Sequence, residues 1–252
     1  MDLRLDGRKA IVTGGTGGIG LATVRVLADE GCDVALCARG AGGVEETVSD
    51  LEARGVRAFG WALDVADKDA LEAWVEDAAD ALGGLDVVVA NVSALGSGEG
   101  EEGWRRAVDV DLMHTVRTVE AARPHLEDSD AASVVIVSTV SARHPLSAQP
   151  YGTLKAALNH YGKALAVEWA PEEVRVNVLS PGTIYVEDGF WGNVEREDPE
   201  GFQQMLGANP MGRMGRPEEV ARSVAFLASP ASSFTSGTNL LVDGALTPGV
   251  QM

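Results

Sequence analysis

Ala10-Ile11-Val12-Thr13-Gly14-Gly15-Thr16-Gly17-Gly18-Ile19-Gly20 is a short apolar run that breaks into glycines and reopens as a helical pattern over 19–30. An apolar run of this length reads as a strand, and glycines after it let the backbone turn sharply. Free N–H groups at the start of the following helix are donors for a phosphate, and missing side chains let a pyrophosphate approach. The same turn without a ligand is the alternative. A Walker-type phosphate loop is set aside, because no Lys-Ser or Lys-Thr pair follows Gly18.

Strand and helix alternate from this unit to the end of the chain. Strands are predicted at Ala10–Thr13, Asp33–Ala38, Ala58–Leu63, Asp86–Ala90, Ser133–Ser138, Arg175–Leu179 and Leu240–Val242, and helices at about 19–30, 43–54, 67–82, 101–127, 152–169 and 217–228. Val87-Val88-Val89 and Val134-Val135-Ile136-Val137 are apolar without alternation, as strands covered on both faces must be. The pattern predicts an α/β fold, a doubly wound seven-stranded parallel sheet in a single domain over residues 1–252. Ligands of such sheets sit beyond the carboxyl ends of the strands.

Composition narrows the partners. With 38 acidic against 20 basic residues the net charge is −18, which argues against nucleic acid and against an anionic membrane. No apolar run is long enough to span a bilayer, and the N-terminus lacks the apolar core of a signal peptide. The only cysteines, Cys32 and Cys37, share a strand region, so no disulfide framework is implied and a cytoplasmic location is expected. The four histidines show no metal-ligand spacing, and no metal is predicted.

The residues after each strand supply the candidate site. Arg39, after the second strand, stands where an acidic residue would hold the ribose hydroxyls of NAD; a guanidinium there suits a 2′-phosphate, or lies solvated on the surface. Asp64-Val65 closes the third strand, where the carboxylate either accepts from an adenine amino group or caps the next helix. Ala90-Asn91-Val92-Ser93 closes the fourth, either lining a cofactor or serving only as a turn. Tyr151-Gly152-Thr153-Leu154-Lys155 opens the helix over 152–169 and places a phenol and an ammonium on one face. A cation about 4 Å from the phenol, at an effective dielectric of roughly 20, favours the phenolate by about 4 kcal/mol, or roughly three pKa units.

Taken together, Thr13–Gly20, Asp64-Val65, Asn91, Ser138-Thr139, Tyr151-x-x-x-Lys155, Pro181-Gly182 and Val242-Asp243-Gly244 make the chain resemble the short-chain dehydrogenase/reductase family over essentially its whole length. The resemblance implies a Rossmann-type sheet, a nicotinamide cofactor (NADP, with NAD possible), a small carbonyl or alcohol substrate and a homotetramer or homodimer. It makes Tyr151 the general acid/base, assisted by Lys155. Its cofactor contacts map to Gly14, Thr16, Gly18, Ile19, Gly20, Arg39, Asp64, Val65, Asn91, Val92, Tyr151, Lys155, Pro181, Gly182, Thr183 and Ile184.

A hydroxyl that orients the substrate oxygen is expected as well. Spacing of thirteen residues before the tyrosine favours Ser138, whereas alignment of the strand favours Thr139. Asp111 replaces the family's usual Asn, Val92-Ser93 departs from its asparagine-rich turn, and Val186 takes the place of a Thr. A carboxylate at 111 accepts from water and stabilises the Lys155 cation but cannot donate as an amide does. These departures leave room for a second reading, a catalytically impaired binder of nucleotide or ligand. Residues 183–216, with Tyr185, Phe190, Trp191, Met205, Met211 and Met214, are expected to form a substrate lid, a subunit contact or extra core.

Overall fold

A computed structural model of the chain describes residues 2–95, 100–144 and 148–250. Its seven strands are β1 (Lys9–Thr13), β2 (Asp33–Ala38), β3 (Ala58–Ala62), β4 (Val87–Ala90), β5 (Ser133–Val137), β6 (Arg175–Pro181) and β7 (Asn239–Val242). They form one parallel sheet in the order β3-β2-β1-β4-β5-β6-β7. The order reverses at β1 and β4, and the crevice beyond their carboxyl ends is where this topology opens a binding cleft.

The helices are α1 (Gly18–Asp29), α2 (Ala41–Glu52), α3 (Lys68–Leu82), α4 (Gly100–Ala107), α5 (His114–Leu126), α6 (Pro150–Glu168), α7 (Phe190–Glu197), α8 (Pro199–Ala208) and α9 (Pro217–Ala228). Side chains alternate across the strands and so divide the core in two. Ile11, Ala35, Val88, Val134 and Val176 pack under α3, α5 and α6. Ala10, Val12, Leu36, Val89 and Val135 pack under α1, α2 and α9. No helix among the described residues is long and apolar enough to cross a membrane.

Two departures from the sequence reading bear on the site. The helix predicted over 101–127 is interrupted by a π-helical turn at Val108–Met113, which carries Asp111 inward between α4 and α5. The stretch 183–216 is not a loop but holds α7 and α8. Within it Phe202 and Met214 are buried, with Tyr185 edge-on to Phe202, while Phe190 and Met211 are exposed. Its ends are tied by Tyr185 N–H to Gly215 O and Gly215 N–H to Thr183 O.

Arg175 fastens α9 to the sheet. Its buried guanidinium donates to the carbonyls of Leu227, Ala228, Ser229 and Ser232 and to the Ser232 hydroxyl, covering the C-terminal end of α9. Burial holds it down at about 10, low for an arginine. Arg175→Leu leaves those carbonyls bare in the interior, and we expect a loss of about 3 kcal/mol or more of stability. Urea denaturation reads this directly; a change under about 1 kcal/mol would show that water replaces the guanidinium at no cost.

Candidate active site

The floor of the site is the glycine turn between β1 and α1. Gly14 has a φ of +71, and a Cβ there would lie 2.9 Å from Val92 Cγ2; a Cβ on Gly20 would meet Gly14 O at 2.0 Å. Only glycine lets the turn close this tightly against β4. Asn91 fixes it from the neighbouring strand, donating its backbone N–H to Thr13 Oγ1 (2.9 Å) and its side-chain amide to Thr13 O (3.1 Å). Gly17 precedes α1 without a side-chain cap, and a Cβ at Gly17 would meet open space. The uncapped first-turn amides of Gly18, Ile19 and Gly20 are thus donors at a helix N-terminus with room for a pyrophosphate. Thr16 is partly exposed beside Gly43, and Val186, early in the 183–216 stretch, lies over Gly18.

Behind this floor sits a buried ion pair. Lys155, on α6, is 1% exposed; its Nζ donates to Val137 O (3.1 Å) and Val92 O (3.2 Å) and lies 3.9 Å from Asp111 Oδ1. Burial lowers Lys155 from 10.5 to about 8, and the Asp111 charge opposes that shift. Asp111, fully buried, accepts from Ser93 Oγ (2.8 Å) and Ala94 N (3.1 Å) on Oδ1, while Oδ2 has no partner among the described residues. His114 is buried one position beyond the π-helical turn, its Nδ1 on Val110 O, and burial pushes it down to about 3, so the imidazole is neutral.

Tyr151 stands at the mouth, in the first turn of α6. Gly152 brings that turn against the segment after β5, since a Cβ at Gly152 would lie 2.8 Å from Ser141 O. The Thr139 and Ser93 hydroxyls are the side-chain polar groups that bear on the phenol. Burial raises its proton affinity above the ordinary 10, Thr139 opposes this, the Asp111 charge adds to it, and Ser93 opposes it. The Lys155 ammonium is held by two backbone carbonyls, and the charge that bears on the phenol is the negative one of Asp111.

A family model described as enoyl-(acyl carrier protein) reductase matches residues 14–247. Isoepoxydon dehydrogenase of Penicillium expansum is 40% identical over 253 aligned residues, 98% of this chain and 97% of the relative. The chain belongs to the short-chain dehydrogenase/reductase family. It is an NAD(P)-dependent oxidoreductase that interconverts a carbonyl and an alcohol. Within the family it is also similar to the cis-4-hydroxycyclohexanecarboxylate dehydrogenase of Sinomonas cyclohexanicum, 34% identical over 95% of this chain and 96% of that one. Among solved structures, L-sorbose reductase of Gluconobacter frateurii in complex with NADPH and L-sorbose superposes with a TM-score of 0.90 at 28% identity, covering 99% of this chain and all of that one.

Against the family's pattern, several anticipated contacts sit differently. Ser138 is buried and donates to Lys155 O (3.1 Å), so its hydroxyl braces α6, while of the pair it is Thr139 that bears on the phenol. The reason is strand alternation, which turns neighbouring residues to opposite sides. Asp64 is exposed and accepts from Ala66 N, whereas Asp67 caps α3. The Val65 side chain is in the core. Asn91 holds the glycine turn instead of presenting its amide to the cleft. Thr183 donates its hydroxyl to Asn209 (2.8 Å) and so ties together the ends of the 183–216 stretch, leaving Ile184, bridged to Gly215, to offer backbone groups. Pro181 ends β6, and Gly182 touches Asp243, where a Cβ would be 2.8 Å from its Cα. Arg39 is exposed after β2, with no ion pair among the described residues.

Sequence reasoning places Ser93 in a turn that could line a cofactor without pairing it with Asp111, and it gives His114 no role. Ser93 lies 18 residues from Asp111, a separation with no periodic meaning, and only the fold brings the two together.

The buried ammonium has a measurable consequence. Between about pH 8 and 10.5 the folded chain releases the Lys155 proton while the unfolded chain retains it, so stability relative to a Lys155→Met variant rises across that window. Paired urea titrations near pH 7 and near pH 10 should show the wild type gaining on the variant by up to about 3 kcal/mol. A difference that stays flat would mean that Lys155 titrates normally.

Proposed function

We propose that Tyr151 exchanges the proton with the substrate oxygen, that Thr139 donates to the same oxygen and fixes its position, and that this site prefers NADP. The observation that carries the reading is Tyr151 in the first turn of α6, with Thr139 bearing on its phenol and the buried Lys155 ammonium one turn further on. When bound, a reduced nicotinamide supplies hydride to the carbonyl carbon. Tyr151 then gives its O–H proton to the oxygen as charge grows there. Two of the three Lys155 hydrogens are held by Val92 O and Val137 O, which leaves one for a ribose hydroxyl.

The amides of Gly18–Gly20 would hold the pyrophosphate, and Arg39, exposed and without an ion pair among the described residues, would take a 2′-phosphate. The NADPH-bound sorbose reductase supports that preference by likeness. Exposed Phe190 and Met211 on the lid favour a substrate with an apolar part, and the relatives named for a hydroxycyclohexanecarboxylate and for sorbose favour a polyfunctional secondary alcohol or its ketone. We also infer self-association, supported by the fully exposed Phe234 ahead of the half-buried edge strand β7, and a cytoplasmic setting, supported by two buried unpaired thiols.

Tyr151→Phe should cut kcat by at least about 10²-fold and leave the NADPH dissociation constant within about twofold, measured by nucleotide fluorescence titration. Retained turnover would remove Tyr151 from the chemistry and favour the reading as a binder. Arg39→Ala should weaken NADPH binding by about tenfold or more and leave NADH binding unchanged. Equal losses for both would place Arg39 outside phosphate recognition.

A further inference from the structure

Both ring nitrogens of His114 have partners. Its backbone N–H reaches back five residues to Asp109 O, so the π-helical turn diverts the donor that an α-helix would give to Val110 O. The ring makes up the loss. Nδ1 lies against Val110 O, and a carbonyl only accepts, so Nδ1 carries the hydrogen. Thr115 Oγ1, 3.5 Å from the same nitrogen, faces that N–H as a second acceptor. The ring is fully buried, and burial and then the Lys155 charge disfavour its cation, so Nε2 keeps a lone pair.

Nε2 faces Thr13 Oγ1 across 3.5 Å. Thr13 is buried, and its oxygen already accepts from Asn91 N (2.9 Å). Among the described residues its own hydrogen therefore has only the imidazole to go to. Hydrogens run one way, from Asn91 to Thr13 to His114 to Val110. The path starts at the glycine turn, which Asn91 also clasps through Thr13 O (3.1 Å). It ends one residue short of Asp111, whose Oδ1 is 3.9 Å from Lys155 Nζ. A break at either nitrogen leaves a buried polar group unmet.

We propose that His114 is a positioning residue, an Nδ1–H imidazole that bolts the π-helical turn bearing Asp111 to the glycine turn that receives the nucleotide. One nitrogen serves each end, so the ring sets the carboxylate opposite Lys155 and steadies the pyrophosphate seat. This role rests on the glycine turn as the seat of the cofactor.

Neither end needs a substrate to be read. ¹⁵N-histidine NMR of the full-length protein follows the four histidines, and His125→Gln, His144→Gln and His160→Gln assign the others, leaving His114. His114 should show the Nδ1–H tautomer, unchanged between about pH 8 and about pH 5, because its protonation lies at about 3. Two variants then separate the ends. The amide nitrogen of His114→Asn has the reach of Nδ1 and keeps Val110 O, whereas the amide oxygen of His114→Gln has the reach of Nε2 and keeps Thr13. His114→Asn should raise the NADPH dissociation constant by about threefold or more and leave the Lys155 titration midpoint in place. His114→Gln should hold NADPH binding and lower the Lys155 midpoint by about one pH unit, as Asp111 draws away. Nucleotide fluorescence reads the first, and ¹³Cε-lysine NMR the second, with Lys155→Met assigning the signal among Lys9, Lys68, Lys155 and Lys163. A ring that only fills space would move both readouts together or neither. That outcome, or an Nε2–H tautomer in the wild type, would overturn the bolt, and the tautomer alone decides if the variants do not fold. A wild type that binds neither NADPH nor NADH would overturn the cofactor reading and this role with it, while the other outcomes leave that reading standing.

Discussion

An ammonium with 1% of its surface in contact with solvent is the constraint around which the rest of this site is arranged. Lys155 lies where a lone cation would lose its charge, and three features retain it: the carbonyls of Val92 and Val137 and the carboxylate of Asp111. At 3.9 Å and an effective dielectric of roughly 20, the carboxylate is worth about 4 kcal/mol to the charged form before desolvation of either partner. Each of these three groups comes from a different element, so β4, β5 and the π-helical turn must all be in register before Lys155 can be housed.

That requirement couples the cofactor floor to the proton-transfer end of the cleft. Val92 accepts from Lys155 through its carbonyl and packs against Gly14 through its side chain, while Asn91, next to it, clasps the same glycine turn. The strand β4 is therefore a strut between the pyrophosphate cradle and the acid/base pair. Rigid support of this sort, drawn from strand ends more than from loops, is what holds reacting groups in productive alignment.

The architecture was legible because it rests on periodicity. Unbroken valine runs announce strands covered on both faces, and Asp33–Ala38 and residues 217–228 fall where the pattern put them. The glycine turn was legible for the same reason, since missing side chains are visible in a string of letters. Hydrogen-bond direction was not. Whether Ser138 or Thr139 faces the phenol depends on one step of strand alternation, and where Lys155 points depends on carbonyls contributed by two distant strands. The helices within 183–216 escaped notice because Gly189, Gly192, Pro199 and Gly201 break their pattern, and helix propensity at so many glycines is poor until tertiary contacts supply the rest. The π-helical turn leaves no mark in the sequence either, because Val108–Met113 is compatible with an ordinary helix.

That turn has a consequence for how the chain tolerates change. Widening one turn introduces a phase slip between α4 and α5, and an α-helix advances about 100° per residue. Val119, Ala122 and Leu126 reach the interior only because the slip lies ahead of them. A single-residue deletion within Val108–Met113 would thus return the turn to α geometry with the apolar stripe of α5 still seated, but would withdraw the carboxylate opposite Lys155. Such a change of length would fall on the reacting groups and spare the core.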